Sequence, residues 1–290
     1  MALKGKKASA VEKRLKCLFY GVAGAGKTTA AISFPAPYII DCEKGAENKQ
    51  YLELIDKNGG AIFQTSDFTE VLNEVKALLS EKHPYKTLII DPLTVLYNDL
   101  LEVAAAIPTK DGTEATAFGK HYQHANRKMK QLLQLLLRLD MNVIITSHSK
   151  NEYGPNMEIK AQTFDCYKKL DYLFDLVIEI RKHGLKRVGT VRKTRITTFE
   201  EGSDFEFSYD TIALKYGKDI IEKDTVAEVL AAPEQVKELE RLVKLLKIPH
   251  ETTEKWLAKS NSSHFSDMSL EVIAKCIESL QQKLEGKDNV

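Results

Sequence analysis

A glycine-rich segment that runs into a lysine and a threonine is the clearest chemical feature of the sequence. Residues Gly21 to Thr28 fit the pattern GxxxxGK followed by serine or threonine, between an apolar run and a helical segment. Glycines let backbone N–H groups turn inward around phosphate oxygens, and a following helix N-terminus adds partial positive charge. We therefore expect Lys27 to reach the β- and γ-phosphates of a nucleotide and the Thr28 hydroxyl to ligate Mg²⁺.

The predicted nucleotide-binding residues form one uninterrupted stretch. A glycine-rich turn with a chance lysine is the structural alternative, and the flanking strand and helix argue against it. ATP and Mg²⁺ are the expected cofactors. The stretch consists of Gly21, Val22, Ala23, Gly24, Ala25, Gly26, Lys27, Thr28 and Thr29.

Acidic residues follow two short apolar runs that are typical of buried strands. Asp91 ends one run, where its carboxylate can face the phosphate loop and hold the Mg²⁺ shell, directly or through water. Glu43 lies two residues beyond Asp41, which ends another run, and we expect Glu43 to orient water for in-line attack on the γ-phosphate. Asp41 and Glu47 are the alternatives for this role, and a solvated loop carboxylate is the structural interpretation of Glu43.

Polar residues end a further apolar run, at Thr146-Ser147-His148. These residues can sense the γ-phosphate and pass its state to the loop that follows, while a purely structural role for His148 remains open.

Later in the chain, Lys193 and Arg195 are two residues apart, so they share one face if this segment is a strand. Two such cations suit neutralisation of γ-phosphate charge, and a surface pair on an edge strand is the alternative.

Short apolar runs alternate with helical periodicity over most of the chain. The predicted strands are residues 17–20, 38–41, 87–91 and 142–146. The predicted helices are residues 28–32, 67–81 and 118–139, the last with apolar residues at steps of three and four from Phe118 to Leu139. This alternation predicts an α/β fold, with a mostly parallel central sheet and helices on both of its faces.

The pattern changes after about residue 175. Two segments, 176–181 and 187–192, are joined through Gly184 and predict an antiparallel extension of the sheet, and residues 200–210 are typical of an acidic loop. Beyond residue 225, three amphipathic helices predict a small C-terminal helical bundle. The predicted division is a basic N-terminal arm at 1–16, a core at 17–222 and a helical domain at 225–290.

Composition limits the classes of function. The chain has 290 residues, 43% of them hydrophobic, and a formal net charge of +1, so any nucleic-acid surface has to be local. No apolar run approaches the roughly 20 residues of a membrane helix, and the basic N-terminus lacks the apolar core of a signal peptide. Four scattered cysteines without metal-ligand spacing indicate reduced thiols, and we expect a cytoplasmic protein without a membrane partner.

The order of these motifs resembles the RecA-like ATPase core, in particular the phage and prophage group of nucleotide-binding ATPases associated with single-strand annealing. The resemblance covers roughly residues 15–222. Many folds contain a phosphate loop, so three further motifs make the resemblance more specific. They are the Asp-x-Glu after the second predicted strand, the Thr-Ser-His and the late Lys-x-Arg. The matching segments are Leu18-Phe19-Tyr20-Gly21, Phe34 to Glu43, Ile89-Ile90-Asp91-Pro92, Thr146-Ser147-His148 and Val191 to Arg195.

The resemblance implies roles for several residues. Glu43 would be the catalytic glutamate, and His148 stands where a RecA-type sensor is commonly a glutamine. Lys193 and Arg195 would reach into the ATP site of a neighbouring subunit, so the expected assembly is a homo-oligomer with ATP at subunit interfaces. The segments at about 104–117 and 149–166 would face DNA. A phage or prophage protein of this kind would act in the cytoplasm of a bacterial host cell.

Several segments are candidates for contact with single-stranded DNA. The segment Lys150 to Pro155 contains a cation and the ring of Tyr153, on which an unpaired base can stack. Seven cations lie close together from Arg181 to Arg195 with no acidic residue among them, and solvated surface is their structural interpretation. The long helix adds Lys120, Arg127, Lys128, Lys130 and Arg138. The C-terminal bundle is a candidate docking site for a recombination or single-strand-binding protein, with a plain stabilising bundle as the alternative.

The sequence thus predicts a Mg²⁺-dependent, RecA-like protein that binds and hydrolyses ATP and acts on single-stranded DNA in phage-type recombination, annealing or repair. A small-molecule kinase is one alternative, although the loop after Ser147 supplies Lys150 and Lys160 but no arginine for a lid. A nucleotide-gated scaffold that does not hydrolyse ATP is another. A GTPase is disfavoured, because no Asn-Lys-x-Asp guanine motif follows the core strands.

Overall fold

Strands and helices alternate along the residues that the computed structural model describes, namely 12–107, 116 and 119–288. The strands are β1 (Lys16–Tyr20), β2 (Pro37–Asp41), β3 (Ala61–Gln64), β4 (Thr87–Asp91), β5 (Asn142–Ser147), β6 (Ser149–Tyr153), β7 (Ile159–Phe164), β8 (Leu176–His183), β9 (Lys186–Thr194) and β10 (Asp204–Glu206). The α-helices are α1 (Lys27–Ile32), α2 (Lys49–Lys57), α3 (Phe68–Ser80), α4 (Leu93–Ala105), α5 (Lys120–Arg138), α6 (Leu170–Leu173), α7 (Tyr209–Tyr216), α8 (Lys218–Glu222), α9 (Pro233–Leu245), α10 (His250–Lys259) and α11 (Leu270–Asp288).

Eight of these strands form one sheet in the order β10-β9-β8-β1-β5-β4-β2-β3, and β6 pairs with β7 in a separate antiparallel hairpin. The pairs from β3 to β8 across the sheet are parallel, whereas β9 and β10 form an antiparallel extension. The register sets Tyr20 beside Ser147 and Asp41 beside Asp91, so β1, β2, β4 and β5 end at one carboxyl edge of the sheet. The predicted α/β architecture, with its mostly parallel sheet and C-terminal helical bundle, is confirmed.

Alternate residues of the central strands face two apolar layers. Leu18 in β1 packs with α3, α4 and α5, and the adjacent Phe19 packs with α1, α2, α7 and α8 on the other face. This alternation follows from the two-residue period of a strand. In α5, Ala125, Met129 and Leu132 are fully buried at the predicted spacing, while Phe118 lies outside the described residues. No helix in the described part of the chain is long and apolar enough to cross a membrane.

The helices α9, α10 and α11 share a small apolar core of their own. Leu239, Leu242, Ile273 and Leu280 in this core are fully buried. Because the helices bring their own apolar faces together, the bundle does not depend on the sheet for burial. Independent folding of the predicted domains, with a boundary near residue 225, stays a prediction.

Charged side chains attach the bundle to α3 and α5. The Arg138 guanidinium at the end of α5 lies 3.0 Å from a Glu228 carboxylate oxygen and also donates to the backbone carbonyl of Asp267. Lys76 in α3 forms a second ion pair, in which Nζ lies 2.8 Å from Asp267 Oδ1. Two helices of the core are therefore linked to the turn that precedes α11.

Some elements differ from the sequence-based prediction. Residues 49–64 form α2 and the edge strand β3, and residues 149–164 form a hairpin where a loop was expected. Residues 200–210, predicted to be a loop, contain β10 and the start of α7. None of these segments has a continuous apolar run, because each has at most one buried face. The strands among them form by pairing with a neighbouring strand: β3 with β2, β6 with β7, and β10 with β9.

The end of the predicted N-terminal arm belongs to the core. Arg14, Leu15 and Lys16 are buried, and Lys16 is the first residue of β1. Lys16 Nζ donates to the carbonyls of Leu139 and Met141, both at 2.8 Å. Burial lowers the pKa of Lys16 to about 7. The predicted arm boundary at residue 16 thus falls inside the sheet, and residues 1–11 lie outside the described part of the chain.

Replacing Arg138 with alanine should weaken the attachment of the bundle to α5. The change removes charge-assisted hydrogen bonds from a side chain that is only 8% exposed. We expect the free energy of unfolding to fall by on the order of 1.5–3 kcal/mol, measured by urea denaturation. Arg241→Ala is the control, because it breaks an exposed ion pair within α9. An equal loss of stability in both variants would contradict the anchoring role of Arg138.

Candidate nucleotide site

The residues between β1 and α1 form a tight loop at the carboxyl edge of the sheet. Gly26 caps α1 with a φ of 96°, in the left-handed region that favours glycine. A Cβ at Gly21 would lie 2.4 Å from the carbonyl oxygen of Ile180, so no side chain fits there. Since α1 begins without a capping side chain, its first-turn N–H groups are left for an acceptor from outside the helix. This set of donors fits phosphate oxygens.

Lys27 lies across the mouth of this loop. Its Nζ donates to the carbonyls of Gly21 at 2.8 Å and Val22 at 3.1 Å. Burial lowers the pKa of Lys27, and the carboxylates of Asp91 and Glu43 act in the opposite direction. The ammonium is thus held beside the loop by neutral carbonyls, which a negatively charged ligand can replace.

Asp91 and Thr28 lie next to each other at the start of α1. Asp91 is 8% exposed, its carboxylate accepts a hydrogen bond from the Thr146 hydroxyl, and the Thr28 hydroxyl lies nearby. Burial raises the pKa of Asp91, and the Thr146 and Thr28 hydroxyls act against that shift. A carboxylate and a hydroxyl side by side provide the oxygen ligands that Mg²⁺ prefers. The structure therefore brings the two predicted metal ligands together next to Lys27.

Asp41 and Glu43 have different surroundings, although both follow β2. Asp41 is 3% exposed and accepts backbone N–H groups from Glu43, Gly45 and Ala46 at 2.9–3.2 Å. Its oxygens therefore stabilise the turn after β2. Glu43 is exposed at the carboxyl edge, and Glu47 lies farther on in the short 3-10 turn Gly45–Glu47. Among the three candidates for the water-orienting residue, only Asp41 has a carboxylate that already accepts hydrogen bonds from the backbone of its own turn.

Glu43 and His148 meet across the carboxyl edge. His148 Nε2 lies 2.9 Å from Glu43 Oε1, and both side chains are partly exposed to solvent. The two residues follow β2 and β5, which are separated in the sheet by β4 alone. The structure thus brings together two residues that the sequence suggested independently, as water-orienting acid and as phosphate sensor.

His148 also forms the base of the β6–β7 hairpin. Its backbone N–H donates to Thr94 Oγ1 at 3.0 Å, and Thr94 Oγ1 lies 3.0 Å from Ser147 Oγ. The carbonyl of His148 accepts the N–H of Asp165, at the far end of the hairpin, at 2.8 Å. A shift of His148 would therefore move the residue before β6 and, through Asp165, the residue after β7.

The hairpin presents apolar and aromatic side chains to solvent. Tyr153, Met157 and Ile159 are 57%, 76% and 60% exposed. Lys150 is held by Asp165, with Nζ 3.0 Å from Oδ1. The predicted DNA-facing segment 149–166 is thus a hairpin with exposed apolar side chains, and most of the segment 104–117 lies outside the described residues.

Lys193 and Arg195 lie at the opposite edge of the sheet from the phosphate loop. The antiparallel strand β9 ends beside Leu176, where β8 begins. Lys193 Nζ donates to the Phe174 carbonyl, and Arg195 donates to the Tyr172 carbonyl at 2.6 Å. Burial, followed by the charge of Arg195, lowers the pKa of Lys193. The structure does not bring this pair to the phosphate loop of its own chain.

The run of cations from Arg181 to Arg195 is partly neutralised. No acidic residue lies between its members in the sequence, yet the fold supplies carboxylates to three arginines. The cations of the run therefore do not form one continuous basic surface. The ion pairs are Arg181–Asp204, Arg192–Glu179 and Arg195–Asp175.

Arg187 is the site residue that sequence reasoning missed, because it was grouped with that basic run. It lies on the face of β9 that packs against the phosphate loop, and its Nε is 2.8 Å from the place a Cβ on Gly26 would take. It borders a cavity of about 390 Å³ between Thr29 in α1, Ser33 just after α1, and the segment Phe207 to Asp210. The predicted β8–β9 hairpin was the signal that could have placed Arg187 near β1.

Two solved structures resemble this fold at low identity. A structure of the RadB recombinase has a TM-score of 0.43 and 16% identity, and the match covers 66% of this chain and 84% of that one. A prototypical ATPase from the type III secretion system of pathogenic bacteria has a TM-score of 0.37 and 13% identity, with coverage of 92% and 80%. No curated protein matches the sequence.

A family model provides the assignment. The model described as an AAA domain matches residues 13–219, well over half of the chain. The matched residues contain the phosphate loop, Asp91, Glu43, His148 and all ten strands of the described structure. The chain therefore belongs to the AAA domain family, and its core is a P-loop ATPase core.

Proposed function

We propose that this protein binds and hydrolyses Mg²⁺-ATP and uses hydrolysis to act on single-stranded DNA in recombination, annealing or repair. The contact between Glu43 and His148, at 2.9 Å, is the observation that carries the proposal. This contact links Glu43, the acid that would orient the attacking water, with His148, the residue from which a hairpin with an exposed tyrosine starts. A nucleotide site linked in this way to a strand-binding surface is what DNA-stimulated hydrolysis requires.

The phosphate loop supports the binding half of the proposal. Lys27 would exchange the carbonyls of Gly21 and Val22 for the β- and γ-phosphates, and the α1 N–H groups would donate to the same oxygens. Thr28 and Asp91 would hold Mg²⁺, which when bound neutralises charge on the phosphate oxygens. The Thr146 hydroxyl keeps the Asp91 carboxylate oriented.

Glu43 is the favoured residue for the hydrolytic step. Its carboxylate would accept a hydrogen bond from a water molecule placed in line with the bond between the γ-phosphorus and its bridging oxygen. Attack by this water breaks that bond, and the water proton passes to Glu43 and then to the released phosphate. Asp41 is disfavoured because its oxygens already accept three backbone N–H groups.

His148 would couple this step to the hairpin. Phosphate or water near Glu43 competes for the 2.9 Å contact with His148, so the imidazole would respond to the state of the nucleotide. The hydrogen bond between His148 and Asp165 extends this response to the second strand of the hairpin. A base stacked on Tyr153 would act on the same elements in the reverse direction.

The placement of Lys193 and Arg195 supports a shared ATP site in a homo-oligomer. These cations and the phosphate loop lie at opposite edges of one sheet, so the pair would serve a neighbouring subunit. Subunits that contact each other through two different surfaces assemble head to tail, into a ring or a helical filament.

Arg187 and its cavity would accommodate the nucleoside end of ATP. The cavity opens beside Thr29, next to the start of α1, where the chain of phosphates leaves the loop. The Arg187 guanidinium forms no ion pair or hydrogen bond with another described residue, so it is available to stack on a base.

Glu43→Gln tests hydrolysis, because it keeps the shape of the side chain and removes its charge. Turnover should fall about a hundredfold or more, while ATP binding persists. The measurement is phosphate release with and without oligothymidine strands, alongside ATP affinity. Glu47→Gln in the adjacent turn is the matched control and should retain turnover. Normal turnover in Glu43→Gln would place the water-orienting residue elsewhere, and no phosphate release by the wild type would favour the non-hydrolysing scaffold.

A mixing experiment tests the shared site. Lys27→Ala keeps the cations and loses the phosphate loop lysine, and Lys193→Ala/Arg195→Ala has the reverse defect. Each should be nearly inactive alone, and the mixture should recover part of the phosphate release. A cation supplied by a neighbour raises turnover by about 10³–10⁵ in related systems. Fluorescence transfer between labelled pools first establishes subunit exchange, after which an inactive mixture would exclude the shared site.

Arg187→Ala tests the nucleoside pocket separately from the phosphate loop. Loss of a stacked guanidinium should weaken ATP binding about tenfold and leave the binding of inorganic triphosphate unchanged. Both affinities can be measured by titration calorimetry. Lys186→Ala, an exposed cation in the same hairpin, is the control and should leave both affinities unchanged. If Arg187→Ala weakened both ligands equally, Arg187 would be a phosphate ligand instead.

A further inference from the structure

A cleft separates α5 from the C-terminal bundle, and we call it the α5 cleft. It has a volume of about 550 Å³. One wall is α5, from His124 to Gln134, and the other consists of α10 and residues 262–264. The cleft is distinct from the nucleotide site, because none of the residues placed in that site lines it.

Polar side chains along α5 form the floor of the cleft. Residues 124, 127, 131, 134 and 138 recur at steps of three and four, so they share one face of the helix. At one end of this stripe, Arg138 is bonded to the bundle and Gln134 accepts from Ser263 Oγ at 3.1 Å. At the other end, Arg127 makes no hydrogen bond or ion pair with a described residue. The stripe is therefore closed at the end near Arg138 and open at the end near His124.

Arg127, at this open end, differs from most arginines of the chain because it has no carboxylate partner among the described residues. The sequence has eight arginines, and six of them form an ion pair with a carboxylate in the described structure. Of the remaining two, Arg187 lines the cavity proposed for the nucleoside end of ATP, and Arg127 lies in the α5 cleft. Arg127 therefore has no carboxylate among the described residues to offset its charge, which leaves it available to an external anion.

The chemistry of the cleft favours phosphate. Arg127, Lys128 and Lys130 face a single carboxylate, that of Glu254, and serine and glutamine side chains add neutral donors. No phenylalanine, tyrosine or tryptophan lines the cleft among the described residues, so it has no platform on which a base could stack. These groups can neutralise and hydrogen-bond a phosphate chain without reading its sequence.

We propose that the α5 cleft binds the sugar–phosphate backbone of single-stranded nucleic acid as a second contact beyond the β6–β7 hairpin. This inference rests on the proposed action on single strands. The chain turns directly from α5 into β5, so Arg138 lies at the edge where β5 begins and the open end of the stripe lies toward the edge where β5 ends. The hairpin starts at that same edge. A strand stacked on Tyr153 can therefore continue along α5 into the cleft.

Salt dependence distinguishes the two contacts, because only phosphate contacts release counterions. Each phosphate neutralised on a single strand contributes about 0.7 to the slope of log affinity against log salt concentration. Arg127→Ala/Lys128→Ala/Lys130→Ala should therefore reduce the slope by about 2 for a fluorescent oligothymidine strand, measured with ATP and Mg²⁺ present. Tyr153→Ala should lower the affinity and leave the slope unchanged.

Lys57→Ala/Lys237→Ala/Lys244→Ala is the matched control. It removes the same charge from three exposed lysines, none of which lines the cleft, and should leave the slope unchanged. The three cleft residues are also exposed, and thermal unfolding and phosphate release without DNA should be unchanged in both triple variants.

Four outcomes would overturn the proposal, and they differ in what else they exclude. An unchanged slope in the cleft variant, with normal effects of Tyr153→Ala, removes the cleft and leaves the action on DNA intact. An equal reduction in slope in both triple variants reveals a general effect of charge. Absence of strand binding by the wild-type protein removes the action on DNA and the cleft together. Displacement of the strand by poly-glutamate as efficient as displacement by unlabelled strand would assign the cleft to an acidic peptide.

Discussion

The candidate site depends on the register of the parallel strands at the centre of the sheet. Pairing of β1 with β5 sets Tyr20 beside Ser147, and pairing of β2 with β4 sets Asp41 beside Asp91. A slip of one residue would turn every side chain of a strand to the opposite face, because side chains alternate. Apolar layers on both faces penalise such a slip. The positions of the polar groups at the carboxyl edge are therefore maintained by burial of apolar side chains some distance away.

Around the phosphate loop, the chain supplies more positive and hydrogen-donating groups than it uses itself. Lys27 is bonded to two carbonyls, α1 has no capping side chain, and Arg187 has no carboxylate partner among the described residues. On the other side, the Asp91 carboxylate accepts the Thr146 hydroxyl. A triphosphate with a divalent cation would complement both sides, since the phosphates accept from the donors and the cation binds the carboxylate.

The features that could be predicted from the sequence are those that arise from local patterns. The phosphate loop, the strands that end at Asp41 and Asp91, and the amphipathic α5 each follow from a motif or an apolar period within a few residues. The β6–β7 hairpin, the pairing of Arg192 with Glu179 and the position of Arg187 on Gly26 depend on which strands become neighbours. The sequence predicted that β8 and β9 pair, but not their register and not that β8 lies beside β1. For the same reason, an acid-free basic run could be recognised in the sequence, and its neutralisation could not.

The two edges of the sheet differ in charge in a way that bears on the proposed head-to-tail assembly. Asp41, Glu43 and Asp91 lie at the carboxyl edge, and ATP would make that edge more negative. At the other edge, Lys193 is bonded to a neutral carbonyl, and Arg195 lies 3.7 Å from its only carboxylate partner among the described residues. Asp175 offsets part of the Arg195 charge, whereas the Phe174 carbonyl orients Lys193 without cancelling its charge. The edge therefore stays attractive to an anion on a second subunit. Complementary charge of this kind accelerates association and fixes its direction. Binding of ATP at the carboxyl edge of one subunit would therefore favour the subunit contact that brings Lys193 and Arg195 to that ATP site.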